Sequence, residues 1–131
     1  MKIDKYRTFD IHVPKSIELA DIKQALENDE RFTNGTVLIP AHEKYDMNQS
    51  LNGLRGFIID PRSIIGVFER VDFKNDHAEL CVKMIDTFTN AELIKSMNGK
   101  CCKAYPRFIG HRKGDESIEI RKIITFDIVY E

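Results

Sequence analysis

The stretch that decides the fold is SIEIRKIITFDIVY, residues 117–130. Apolar side chains recur on its even-numbered positions, with Lys122 as the exception: Ile118, Ile120, Ile124, Phe126, Ile128 and Tyr130. The odd-numbered positions include four polar ones: Glu119, Arg121, Thr125 and Asp127. Because successive side chains of a strand point to opposite faces, this pattern predicts one long strand with one buried face.

Shorter strands precede it. IIGVFERVDF (64–73) and the alternating run from Ala78 flank KNDH (74–77), which predicts a hairpin. FDIHV (9–13), NGTVLIP (34–40) and GFIID (56–60) are further short strand candidates.

Two helices are predicted. Ser16 is a candidate N-cap for the amphipathic segment IELADIKQALENDERF (17–32). Thr89 and Glu92 have capping-box spacing before AELIKSM (91–97), which Gly99 would end. Six or seven strands, mostly in hairpin order, with two short helices predict a single α+β domain over residues 1–131. Its architecture would be a mainly antiparallel small β-barrel or a strongly curved sheet.

Composition narrows the functional classes. The 131 residues carry 20 Lys and Arg against 21 Asp and Glu, and this balance disfavours a dedicated nucleic-acid binder. No apolar run is long enough to cross a membrane, and the first residues lack the apolar segment of a signal peptide. Three cysteines cannot pair off, which favours a reducing compartment. Four histidines without metal-ligand spacing predict no metal site, and no cofactor is expected.

Cys101 and Cys102 have two interpretations. Lys100 and Lys103 could stabilise a nucleophilic thiolate. Strand alternation would instead direct one cysteine inward, as a small apolar residue, and its neighbour outward. The second interpretation is favoured.

Several polar residues are site candidates. His42 follows an apolar strand, beside Glu43 and Asp46, and could act as a base oriented by a carboxylate. It could equally be an exposed loop histidine. His111, Arg112 and Lys113 form a basic run at a predicted hairpin tip, which with Arg107 could bind an acidic partner surface or phosphates. Such a run is usually a solvated turn.

From Gly66 onward the order of elements resembles the tailed-phage prohead maturation proteases, serine endopeptidases that share a barrel fold with the herpesvirus assemblins. The segments that carry this resemblance are LCVKMIDTFTNAELIKSMNGK (80–100), the strand containing YPR (105–107), and FDIV (126–129). IPAH, ending in His42, falls where that family has a histidine after a strand. The resemblance implies His42 as general base, Asp127 as a candidate third member of the triad by its position in FDIV, and a serine where this chain has Tyr105.

The substitution of that serine determines the functional expectation. A phenol on a bulky ring displaces the attacking oxygen by several ångströms from the serine position, as judged from side-chain length. The resemblance therefore implies a non-catalytic, capsid-associated phage protein that binds capsid or scaffold protein, in the virion or the host cytoplasm rather than secreted. An active serine or cysteine endopeptidase with His42 as base, and an unrelated α+β protein-binding regulator, are the alternatives. Self-association through exposed strand edges is a further expectation.

Overall fold

The computed structural model of the protein describes residues 6–43, 59, 61–85, 90–114 and 117–131. The strands are β1 (Tyr6–Ile11), β2 (Leu38–Glu43), β3 (Ile64–Phe73), β4 (Ala78–Met84), β5 (Cys102–Arg112) and β6 (Ile118–Tyr130). The α-helices are α1 (Leu19–Glu27), α2 (Glu30–Thr33) and α3 (Ala91–Met97), and one turn of 3₁₀-helix, Pro61–Ser63, precedes β3.

Among the described residues, the six strands close into a barrel in the order β1-β4-β3-β2-β6-β5. Four neighbouring pairs are antiparallel: β1 with β4, β4 with β3, β3 with β2, and β6 with β5. The other two, β1 with β5 and β2 with β6, are parallel. The prediction of a mainly antiparallel small barrel is confirmed, and the sheet is closed rather than open and curved.

The longest antiparallel pair is β5 with β6, and its irregularities explain the exception at Lys122. Register shifts occur between Arg107 and Phe108 and again between Ile109 and Gly110. Each shift adds one residue to β6 and so reverses the side-chain alternation. Between the two bulges the odd-numbered Ile123 is buried and Lys122 is exposed, whereas Phe126 and Ile128 beyond them are buried on the even parity.

The first predicted helix is divided into two. Asn28 ends α1, and the Asp29 side chain accepts a hydrogen bond from the backbone N–H of Arg31, which caps α2. The expectation that Ser16 is the N-cap of α1 is wrong. Glu18 holds that position, and its backbone N–H donates to the Asp21 side chain at 3.0 Å.

The core fills the barrel and extends under α1 and α3. Its fully buried apolar side chains include Ile22, Ile39, Ile65, Leu80, Val82, Met97, Ile123, Phe126 and Ile128. Asn90 fixes the start of α3 to the barrel, because its buried amide donates to the carbonyls of Ile64 and Ile85 at 3.0 and 2.8 Å. Burial of the apolar face of each strand accounts for the alternation seen in the sequence.

Some of the sequence predictions involve residues that the structure does not describe. The GFIID strand, apart from Ile59, lies outside the described residues. The expected capping box of Thr89 and Glu92 is wrong, because Asn90 holds the N-cap position of α3. No helix in the described part of the chain is long and apolar enough to cross a lipid bilayer.

Candidate functional site

His42 and Asp127 lie on the outer face of the barrel wall, on strands β2 and β6. Their neighbours Ala41, Phe126 and Ile128 belong to the buried core. Since side chains alternate along a strand, the polar residues between them point away from the barrel interior. The parallel pairing of β2 with β6 matches Ala41 with Ile128 and His42 with Val129, which brings the two polar residues within reach of each other.

The carboxylate of Asp127 is the centre of the site. His42 Nε2 lies 2.9 Å from Asp127 Oδ1. Arg107 Nε donates to Asp127 Oδ2 at 2.8 Å, and its Nη2 donates to Oδ1. The side chains of Arg107 and Asp127 are 5% and 2% exposed, so this bidentate ion pair is shielded from water, while His42 is 12% exposed.

These partners keep Asp127 ionised despite its burial. Burial alone would raise the pKa of the carboxyl, but the hydrogen bonds from His42 and Arg107 and the charge of the guanidinium outweigh it. The pKa of Asp127 is therefore lowered from its ordinary value. Asp127 is a charged acceptor at neutral pH.

His42 and Asp127 correspond to the histidine and the carboxylate of an acyl-transfer triad. A histidine ring held by a buried carboxylate has a fixed orientation, as the base of a hydrolytic triad does. Arg107 changes the charge balance, because it already compensates Asp127 with two parallel hydrogen bonds. The carboxylate thus has less negative charge with which to stabilise a protonated His42 ring.

Tyr105 lies next to this cluster. In the β5–β6 ladder its Cα is paired with that of Asp127, which places both side chains on the same face. Its ring stacks on His12, with ring centroids 4.6 Å apart and ring planes at 28°. The parallel pairing of β1 with β5 places His12 next to Tyr105. The backbone N–H of His12 donates to the carbonyl of Ala104 at 2.7 Å.

The two adjacent cysteines follow the favoured interpretation. Cys101 is exposed, whereas Cys102 is half-buried and packs against the core. Burial raises the pKa of the Cys102 thiol, which disfavours the thiolate that a nucleophile requires. Cys102 also has the parity of the inward-facing Ala104, opposite to that of Tyr105.

The basic run lies at the tip end of the hairpin that β5 and β6 form, as the sequence predicts. His111 and Arg112 are exposed residues at the end of strand β5, paired with Glu119 and Ile118 of β6. Lys113 follows the strand, and its backbone N–H donates to Ser117. Arg107, grouped with them from sequence, lies apart from this run in the buried ion pair with Asp127.

Comparisons with known proteins leave the resemblance to prohead proteases as a prediction. No protein-family model matches the chain, and neither curated proteins nor solved structures give a significant match.

Sequence reasoning named His42, Tyr105 and Asp127 but missed two of their partners. The sequence groups Arg107 with the basic binding residues rather than with Asp127 and gives His12 no partner, whereas the structure pairs Arg107 with Asp127 and stacks His12 on Tyr105. The alternation in β6 placed Asp127 on the face opposite to the core. Only the strand order, however, identifies which side chains of β2, β5 and β1 lie on that same patch.

Proposed function

We propose that this protein is a non-catalytic, prohead-protease-like barrel that binds capsid or scaffold protein during phage head assembly. The observation that carries the proposal is the cluster on the outer barrel face, where His42 and Arg107 share the carboxylate of Asp127 and Tyr105 is paired with it. A protease of the resembling family would need a short hydroxyl nucleophile at the position of Tyr105.

Two features support the absence of catalysis. The Tyr105 ring is engaged in a stack with His12, on the side of strand β5 that faces β1. The charge of Asp127 is compensated by Arg107, which weakens its ability to stabilise the cationic histidine formed during acyl transfer. Arg107 and Asp127 are buried, so the accessible patch of this cluster consists of the exposed His12 and the half-buried Tyr105. Tyrosine is common in protein interfaces.

An active endopeptidase is the second candidate, and the 2.9 Å contact between His42 and Asp127 is the observation that favours it. A serine outside the resembling signature would have to act as nucleophile. A cysteine version is disfavoured by the raised pKa of Cys102. An unrelated protein-binding regulator is a third candidate, since a barrel fold does not fix a function.

The test combines reactivity and binding. The purified chain is treated with a fluorophosphonate probe for activated serines and, separately, incubated with the capsid and scaffold proteins encoded in the same genome. We expect no labelling, unchanged masses of both candidate partners, and co-elution with one of them. Labelling or cleavage that His42→Ala abolishes would establish the endopeptidase instead.

A surface variant shows whether binding uses this patch. Tyr105→Ala should weaken co-elution, because it removes the stacked ring while leaving the inward-facing core residues of strand β5 in place. Tyr6→Ala is the matched control, since it removes an exposed tyrosine at the end of strand β1 opposite to His12, away from the patch. Absence of binding to both proteins would favour the unrelated regulator.

A further inference from the structure

We propose that Asp10, His77 and Glu79 form a binding site for a divalent transition-metal ion, with Zn²⁺ as the best-matched ion. This inference goes beyond the proposed function and uses none of the residues in the His42 cluster. One ligand atom from each of the three side chains lies within 4.8 Å of the others. Asp10 comes from strand β1, Glu79 from strand β4, and His77 from the turn that precedes β4.

The strand ladder creates the need for a cation at this place. Glu79 is the ladder partner of Asp10 in strand β1 and of Asp72 in strand β3, so three carboxylates form a row across three strands. Like charges directly opposite each other destabilise a sheet. A cation bound between Asp10 and Glu79 would remove this repulsion.

The nearby cationic side chains offset the negative charge of this row of carboxylates only in part. Arg70 binds Asp72 at 3.1 Å, and Lys74 Nζ lies 3.7 Å from Glu79 Oε1. Arg7 is directed elsewhere, towards the Cys102 sulfur and the ring of Phe9. Among the described residues, no cationic side chain lies within ion-pair distance of Asp10.

The donor types match a transition metal. Imidazole nitrogen and carboxylate oxygen are common ligands of Zn²⁺, at distances of about 2.0–2.2 Å. His77 Nδ1 lies 2.6 Å from Asp76 Oδ1, which leaves Nε2 for the metal in the carboxylate–histidine arrangement typical of such sites. Tetrahedral ligands lie about 3.4 Å apart. The ligand atoms of the exposed Asp10 and His77 and the half-buried Glu79 therefore need to close by up to roughly 1.4 Å through rotation of side-chain torsions.

The site has room for further ligands. A cleft beside the carboxylates is lined by Thr8, Asp10, Glu79 and Lys100 among others. Water or an anionic group of a partner could complete the coordination from this cleft, as in sites that have three protein ligands and an open position.

Titration calorimetry with ZnCl₂ tests the proposal. The chain should carry no histidine tag and should contain Cys101→Ser, because the exposed thiol is itself a zinc ligand. We expect one zinc ion per chain, bound at least about tenfold more weakly after His77→Gln or Asp10→Asn, and about tenfold more weakly after Asp76→Ala. Lys74→Met should tighten binding, because it removes the competing cation.

Thermal unfolding provides a readout that does not depend on binding heat. Asp10→Asn should raise the Tm without zinc, because it relieves the repulsion, and should abolish the rise in Tm that zinc causes in the parent chain. His111→Gln is the matched control and should bind like the parent. Absence of zinc binding, or binding that survives His77→Gln, would overturn the proposal, as would equal loss in His111→Gln.

Discussion

At the residue scale, the decisive feature is the buried charge of Asp127. A carboxylate away from water is costly unless it is paired and hydrogen-bonded. Here Arg107 supplies two donors and His42 lies at hydrogen-bond distance, so the charge is retained within the barrel wall.

Arg107→Met should lower the free energy of unfolding by about 3–5 kcal/mol, because it leaves Asp127 as a buried charge without its main partner. Urea unfolding measures this change. The double variant Arg107→Met with Asp127→Asn should recover much of the loss, since neither charge then remains buried. Equal stability of the two variants would contradict the pairing described above.

Stability should also fall in acid through Asp127. Because the folded-state pKa lies below the ordinary value of 3.8, the ion pair contributes fully above that pH and is lost as the pH falls towards the folded-state pKa. Unfolding free energies measured from neutral pH downward should therefore fall less steeply in Asp127→Asn than in the parent chain. Asp29, whose pKa is lowered mainly by its hydrogen bond to Arg31, remains in both chains and contributes equally to their acid limbs.

At the element scale, strands β5 and β6 determine how the barrel wall curves. The two bulges reverse the alternation twice, and Arg31 of α2 donates to the backbone carbonyls of Ile123 and Ile124 at the first of them, at 2.7 and 3.4 Å. The helix that follows α1 is therefore bound to the irregular part of β6. Bulges of this kind increase the local twist that closure requires.

Strand β3 requires a glycine at position 66, where it packs closely against strand β4. A Cβ atom there would lie 2.6 Å from Val82 Cγ1 and would also clash with the carbonyl oxygen of Lys83, both on strand β4. Gly66→Ala should therefore destabilise the protein by about 1–3 kcal/mol, measured by urea unfolding. Gly110→Ala is the comparison: its nearest obstacle is a side-chain carbon of the half-buried Ile118, and the nearest backbone atom, the carbonyl oxygen of Glu119, lies at 3.3 Å, so the loss should be smaller.

The sequence predicted the individual strands and helices better than it predicted which strands lie next to each other in the barrel. The alternation in residues 118–130 and the hairpin around KNDH identify β6, β3 and β4, because burial of one face leaves a period-two pattern. The break at Asn28 had a local signal in Asp29, a good N-cap residue. In the sequence, the only sign of the two bulges is Lys122, a charged residue among the even-numbered apolar positions. A register shift depends on the partner strand, which the local pattern does not show.

At the scale of the whole molecule, the two parallel pairings are what sequence patterns alone could not provide. They join β1 to β5 and β2 to β6 across most of the chain, and no local turn encodes them. His42 and Asp127 were named as site candidates from the resemblance, but their contact depends on one of these pairings. Arg107 reaches the same carboxylate through the antiparallel pairing of β5 with β6.

The parallel pairing of β2 with β6 also sets an order of events during synthesis. His42 and its acceptor are 85 residues apart, so the ribosome must release strand β6 before the histidine has a partner. Until then the edge of β2 that β6 covers in the folded barrel has no partner and is open to wrong pairing. Because so many contacts are remote in sequence, folding should be slow for a chain of this size. Barrel closure and assembly of the polar cluster are thus one late event.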